Sequence, residues 1–211
     1  MILRSLTRRP AAVSSFVQRA CRTPPARFRH SVAPLLNQTD LDTNGIPGLF
    51  SKEGFDIAYN QYQGHILQQL NDSTVGTEYD NVDPKTLLVN VARDPTRAYL
   101  FNLASMAFNN HFFFRGIQTN PSLTTSPTNH LTPLINQHFT SLDSLRETFL
   151  LTADAMFGPG FVWLVQTDEG ATGSLRILTT YLAGSPISGA HYRQQSVDAN
   201  TLNAETSIEQ N

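Results

Sequence analysis

With 211 residues, 40% of them hydrophobic and 15% charged, the chain is long enough to bury the core of one domain or of two small ones. Its formal net charge of −2 conceals an asymmetry: seven of the fifteen basic residues lie in the first thirty positions, and all seventeen acidic ones lie from Asp40 onward. From Ser31 on the balance is about −9, a surface that repels a phosphate backbone and argues against extensive nucleic-acid contact. No stretch approaches the ~20 continuous apolar residues of a membrane span.

Arg4, Arg8, Arg9, Arg19, Arg22, Arg27 and Arg29 are interspersed with Ser5, Thr7, Ser14 and Ser15, without a long apolar run. Residues 1–30 therefore read as a mitochondrial presequence rather than a secretory signal. A basic arm for nucleic acid is the alternative. Cleavage is expected near Arg29, His30 or Ser31. The lone Cys21 would leave with the segment, so the mature chain has no disulfide or thiolate chemistry.

Residues 31–50 carry Pro34, Gly45, Pro47 and Gly48, which is loop chemistry. Ser51 then precedes a helix whose apolar face is Phe55, Ala58, Tyr59, Tyr62, Ile66, Leu67 and Leu70, ended by Asn71-Asp72-Ser73. A short helical turn is expected over Thr86–Val91, and a largely buried helix after Pro95. Tyr99, Leu100, Leu103, Met106, Ala107, Asn110 and Phe114 form that helix's face. Two long helices joined by ~25 residues are compatible with an antiparallel hairpin. The Pro/Ser/Thr-rich run from Asn120 to Pro133 reads as a loop. Ser141 caps a further helix with Leu142, Leu145, Phe149, Leu150 and Met156 on its apolar side. Strands are expected over Phe161–Gln166 and Leu175–Leu182, joined by a turn at Asp168-Glu169-Gly170. The polar end, 185–211, reads as loop or disorder.

The fold class is therefore α+β: a helical-hairpin domain over 46–118, then an α/β domain over 134–184.

Three segments carry a resemblance. Asn102 to Ile117 has an Asn110-His111 step followed by Phe112, Phe113, Phe114 and Arg115; Gly158-Pro159-Gly160-Phe161-Val162-Trp163-Leu164 joins a helix to a strand; Ile66-Leu67-Gln68-Gln69-Leu70-Asn71 ends the first helix. Together they resemble the iron/manganese superoxide dismutases, over roughly residues 46–184. The resemblance implies a mixed α/β domain over 134–184 that is C-terminally incomplete, since a third strand and closing helices follow there in the family. A two-stranded sheet is marginal alone, so either the sequence is truncated, or part of the sheet has been shed, or a partner completes it. That resemblance implies a metal held by three His and one Asp. His111 matches one ligand, Ala58 stands at another, and an Asp-x-Trp-Glu-His segment for the last two does not occur. Arg115 replaces a Trp, Tyr62 and Ile66 replace channel residues, and Phe157 stands at an outer-sphere position. His111 thus reads as a vestigial ligand position in a core, with no catalytic, cofactor or metal residue expected. His65, His130, His138 and His191 read as surface or loop residues.

A presequence with such a fold looks like the dismutase-like proteins of the fungal mitochondrial ribosome's small subunit. The expectation is a non-enzymatic structural component in the matrix, contacting other ribosomal proteins and a second dismutase-like subunit, with little direct rRNA contact. No membrane, small-molecule substrate or cofactor is expected. A stand-alone matrix scaffold or assembly factor, and an active manganese or iron dismutase, are the alternatives.

Overall fold

The computed structural model describes residues 30–118, 125–167 and 173–188. The presequence, the 168–170 turn, His191 and most of the polar tail lie outside the described residues. Among the described residues the order is seven α-helices followed by a two-stranded antiparallel sheet.

The first helix, α1 (Gln38–Asn44), lies where composition suggested only loop. Burial overrides local preference: Leu35, Leu41 and Ile46 pack with Phe55, Tyr59 and Phe114. Gly45, at φ 71°, ends α1 where a side chain would strike the Phe50 carbonyl.

Ser51 caps α2 (Lys52–Phe55) by accepting from the Gly54 amide at 3.1 Å, as the sequence suggested. The helix then widens into a π segment, Asp56–Gln61, before resuming as α3 (Tyr62–Thr74). A π turn inserts one residue without breaking the helix, so a 3.6-residue count loses its register there. Phe55 and Tyr59 remain fully buried, while Ile57 and Tyr62 are exposed.

Two Asp-Pro steps start the next elements. Asp83 accepts from the amides of Lys85 and Thr86 to open α4 (Pro84–Val91), and Asp94 accepts from Thr96 to open a 3₁₀ turn, Pro95–Arg97. Proline suits a first turn because its missing N–H would have no intrahelical partner there. The following helix, α5 (Ala98–Arg115), is antiparallel to α3. The pairs Phe55–Phe114, Tyr59–His111 and Gln63–Ala107 run in opposite directions along the chain. Leu70, Leu87, Leu88 and Ala104 form the dry centre of this helical part. Tyr99 departs from its expected place on the buried face: it is mostly exposed, in the first turn of α5.

The stretch read as loop up to Pro133 already contains the start of α6 (Leu131–Phe139). Pro133 falls within the first turn, where it costs no hydrogen bond, and Leu134 and Ile135 bury against Leu145 and Leu175. Ser141 caps α7 (Leu142–Asp154) by accepting from Ser144 at 3.1 Å. Only Leu145 of the expected apolar side of α7 is buried; Leu142 and Leu150 are exposed. Strand β1 (Gly160–Gln166) pairs with β2 (Leu175–Tyr181), Trp163 opposite Leu178.

Two buried side chains of α5 hold the end of this sheet unit. Ser105 Oγ donates to the Ala183 carbonyl at 2.5 Å, and Asn109 Nδ2 donates to the Gly184 carbonyl at 2.8 Å. They stand one turn apart, so both reach the same turn of backbone just after β2.

Candidate functional site

His111 meets the first long helix through Tyr59. The π segment turns Tyr59 inward, and its hydroxyl lies 2.8 Å from His111 Nδ1 and 2.6 Å from the Ala33 carbonyl oxygen. A carbonyl can only accept, so the phenol donates to Ala33 and the imidazole donates from Nδ1 to the phenol oxygen. This assignment leaves Nε2 of a neutral His111 as an acceptor.

The electrostatics agree. Burial pushes the Tyr59 hydroxyl up to about 12, so it stays protonated in neutral solution. Burial and then the charge of Arg115 hold His111 below the ordinary imidazole value, favouring the neutral ring. Around the pair, Gln63 donates to the Ala107 carbonyl at 2.8 Å, and Asn110 donates to Gln63 Oε1 at 3.0 Å. His111 borders a cavity of about 360 Å³ also lined by His30, Gln63, Asp83 and Lys85.

The structure sorts the other singled-out residues. Ala58 is half-buried within the π segment, and its carbonyl faces Asn110 Nδ2 at 3.4 Å. The side chain of this helix that reaches His111 is Tyr59, which the sequence placed on the helix's apolar face. The visible signal was the Phe55–Tyr59 step, two aromatics four residues apart that stack at 5.7 Å. Ile66 is buried in the helical core, and Phe157 is 89% exposed, stacked on Tyr181. His65 and His130 are exposed, in keeping with their reading, whereas His138 is half-buried on α6. Of the Phe112-Phe113-Phe114 step, only Phe114 enters the core.

These surroundings do not fit a catalytic iron or manganese ion. A redox metal needs several donors converging on one point. Ala58 supplies none, Tyr59 is held as a neutral phenol, and among the described residues no group of three or more His, Cys, Asp or Glu is placed to hold a metal.

A second feature lies where α5 faces β1. A groove of about 610 Å³ is walled by Phe108, Phe112 and Phe113 on one side and by Phe161 to Gln166 on the other. Phe112 and Trp163 meet across it at 5.7 Å, while Trp163 Nε1 donates to Thr180 at 2.8 Å.

Residues 127–196 match the family of iron/manganese superoxide dismutases, C-terminal domain. The fold is dismutase-like. Relatives of two kinds agree with it. The chain is 30% identical over 165 residues to small ribosomal subunit protein mS43 of Schizosaccharomyces pombe, covering 75% of this chain and 59% of that protein. It is 31% identical over 135 residues to the iron superoxide dismutase of Nostoc, 64% of each. It is 26% identical over 161 residues to that of Bordetella pertussis, 76% of this chain and 77% of the enzyme. The dismutase-like chain thus spans about three-fifths of the length of the first two relatives. One of these relatives is a ribosomal protein and the others are enzymes.

Proposed function

We propose that the protein is a structural component of the mitochondrial ribosome's small subunit, using a dismutase-like fold that has lost its metal site. The observation that carries this reading is the Tyr59–His111 bond. The one imidazole at a ligand position faces a buried neutral phenol instead of a second metal donor. Such a pair rigidifies a core. It supplies one imidazole where a redox metal needs several converging donors.

The similarity to mS43 over 75% of the chain supports the ribosomal role. The arginine-rich, acid-free residues 1–30 support import into the mitochondrial matrix. The acidic balance beyond Ser31 supports contacts with other ribosomal proteins, a second dismutase-like subunit among them, and little with rRNA. In this reading the helical hairpin, 46–118, and the α/β unit, 134–184, are two domains with no cofactor and no catalytic residue.

Sedimentation tests it. A mitochondrial lysate is run through a sucrose gradient at low and high salt, and the protein is followed by mass spectrometry. Salt-resistant migration with the small ribosomal subunit is the expected result. Residence in the soluble top fractions points to a free scaffold, and stoichiometric iron or manganese there would establish an enzyme instead.

A further inference from the structure

His30 is the first described residue, and the fold holds it from three sides. It is 8% exposed. Its backbone N–H donates to Asn71 Oδ1 at 2.9 Å, and Asn71 Nδ2 donates back to the His30 carbonyl at 2.9 Å. This is the reciprocal pairing that a neighbouring strand would give, supplied by one side-chain amide on α3. The imidazole adds two more contacts: Nδ1 lies 2.7 Å from Asn71 Oδ1, and Nε2 lies 2.7 Å from the Val82 carbonyl just before α4. His30 thereby ties the end of α3 to the start of α4.

The residues after it continue as a strap. Val32 packs against both helical clusters, the Ala33 carbonyl takes the Tyr59 hydroxyl, and Leu35 is buried. Losing His30 would strip the buried Asn71 amide of its partners on both its oxygen and its nitrogen, and Val82 of its ring contact. Unpaired buried polar groups are what folded proteins avoid.

We propose that the protease that removes the arginine-rich leader cuts on the N-terminal side of His30, and that His30 is retained as the N-terminal anchor of the mature fold. The step is hydrolysis: the peptide C–N bond breaks, water's oxygen joins the carbonyl carbon to give a carboxylate, and the nitrogen keeps a proton as the new amino terminus. A cut as late as the Arg29–His30 bond preserves every contact named above, because the His30 nitrogen still donates to Asn71. A cut after His30 or after Ser31 removes the anchor. The proposal rests on the mitochondrial reading and narrows it.

The test is the N-terminus of the protein isolated from mitochondria, read by intact-mass and peptide mass spectrometry. The expected mature chain begins after Met1 and no later than His30. A start at Ser31 or beyond overturns the anchor. An unprocessed Met1 start in purified mitochondria overturns the cleavage, whereas absence of the protein from mitochondria overturns the reading on which it rests. A second measurement probes the anchor directly. Purified full chain is trimmed with an aminopeptidase together with X–Pro and prolyl aminopeptidases, which carry it past Pro10, Pro24 and Pro25, and the stopping point is read by mass. Trimming of the wild type stops at or before His30, and in Asn71→Ala it runs on past His30 into the strap. Wild-type trimming that passes His30 refutes the anchor, even if the variant does not fold.

Discussion

The Tyr59 hydroxyl sits 2.8 Å from His111 Nδ1 and is held from its other side by the Ala33 carbonyl at 2.6 Å. One phenol therefore joins the N-terminal strap, the first long helix and the helix that carries the imidazole. Tyr59→Phe keeps the ring packing and removes both bonds. It removes two hydrogen bonds, to the Ala33 carbonyl and the half-buried imidazole, each contributing about 0.5–1.5 kcal/mol, so a stability loss of about 1–3 kcal/mol is expected in urea unfolding. An unchanged midpoint would show that the bonds contribute nothing.

The same pair sets a pH dependence. Burial, followed by Arg115, lowers His111 in the folded protein from 6.5. The fold therefore favours the neutral ring, and the unfolded chain binds the proton more readily. The stability this residue contributes is complete above 6.5 and is lost as pH falls from there through the lowered folded value. Urea midpoints of the wild type should drop across that interval more steeply than those of His111→Gln. Parallel curves would remove His111 from the account.

On the proposed reading, restoring one ligand does not restore a metal centre. Ala58→His places an imidazole in the π segment without the remaining donors of a metal site. The purified variant is expected to contain no stoichiometric iron or manganese by elemental analysis. It should lose about 1–3 kcal/mol of stability, because the larger ring overfills the space beside Phe55 and Phe114. Bound metal at one ion per chain would contradict the loss of the site.

Ser105 and Asn109 act on adjacent carbonyls. Each change to Ala should cost about 1 kcal/mol, and the double variant less than the sum, since releasing one carbonyl frees the segment that carries the other. Strict additivity in denaturant titrations would mean that the two bonds are independent.

Gly160 opens β1 directly against β2, and any side chain there would press on the Thr180 carbonyl oxygen. Gly160→Ala is expected to part the strands at that end. Trp163, bonded to the Thr180 hydroxyl, reports the change through near-UV circular dichroism. A spectrum identical to the wild type would show that the backbone yields without cost.

Much of this architecture was legible in local chemistry. Ser51 and Ser141 announce their helices as hydrogen-bonding caps, and the β-rich runs around Trp163 and Ile177 become the paired strands. Tertiary burial was not legible in the same way. α1 forms amid loop-like composition because Leu41 and Ile46 find partners far along the chain, and α6 forms around a proline that its first turn tolerates. At the candidate site His111 was identifiable from its neighbours. Tyr59 was placed on the buried face of its helix, but its bond to His111 was not legible, because it joins side chains 52 residues apart.

The clamp on Ala183 and Gly184 has a consequence for synthesis. Its bonds span 78 and 75 residues, so the helical hairpin emerges complete while Ser105 and Asn109 still lack the carbonyls they will hold. Closing so distant a contact is slow relative to forming a local hairpin. The nascent chain therefore passes through a stage in which α5 is folded on one side and hydrated on the other. That face stays wet until the sheet unit arrives to cover it.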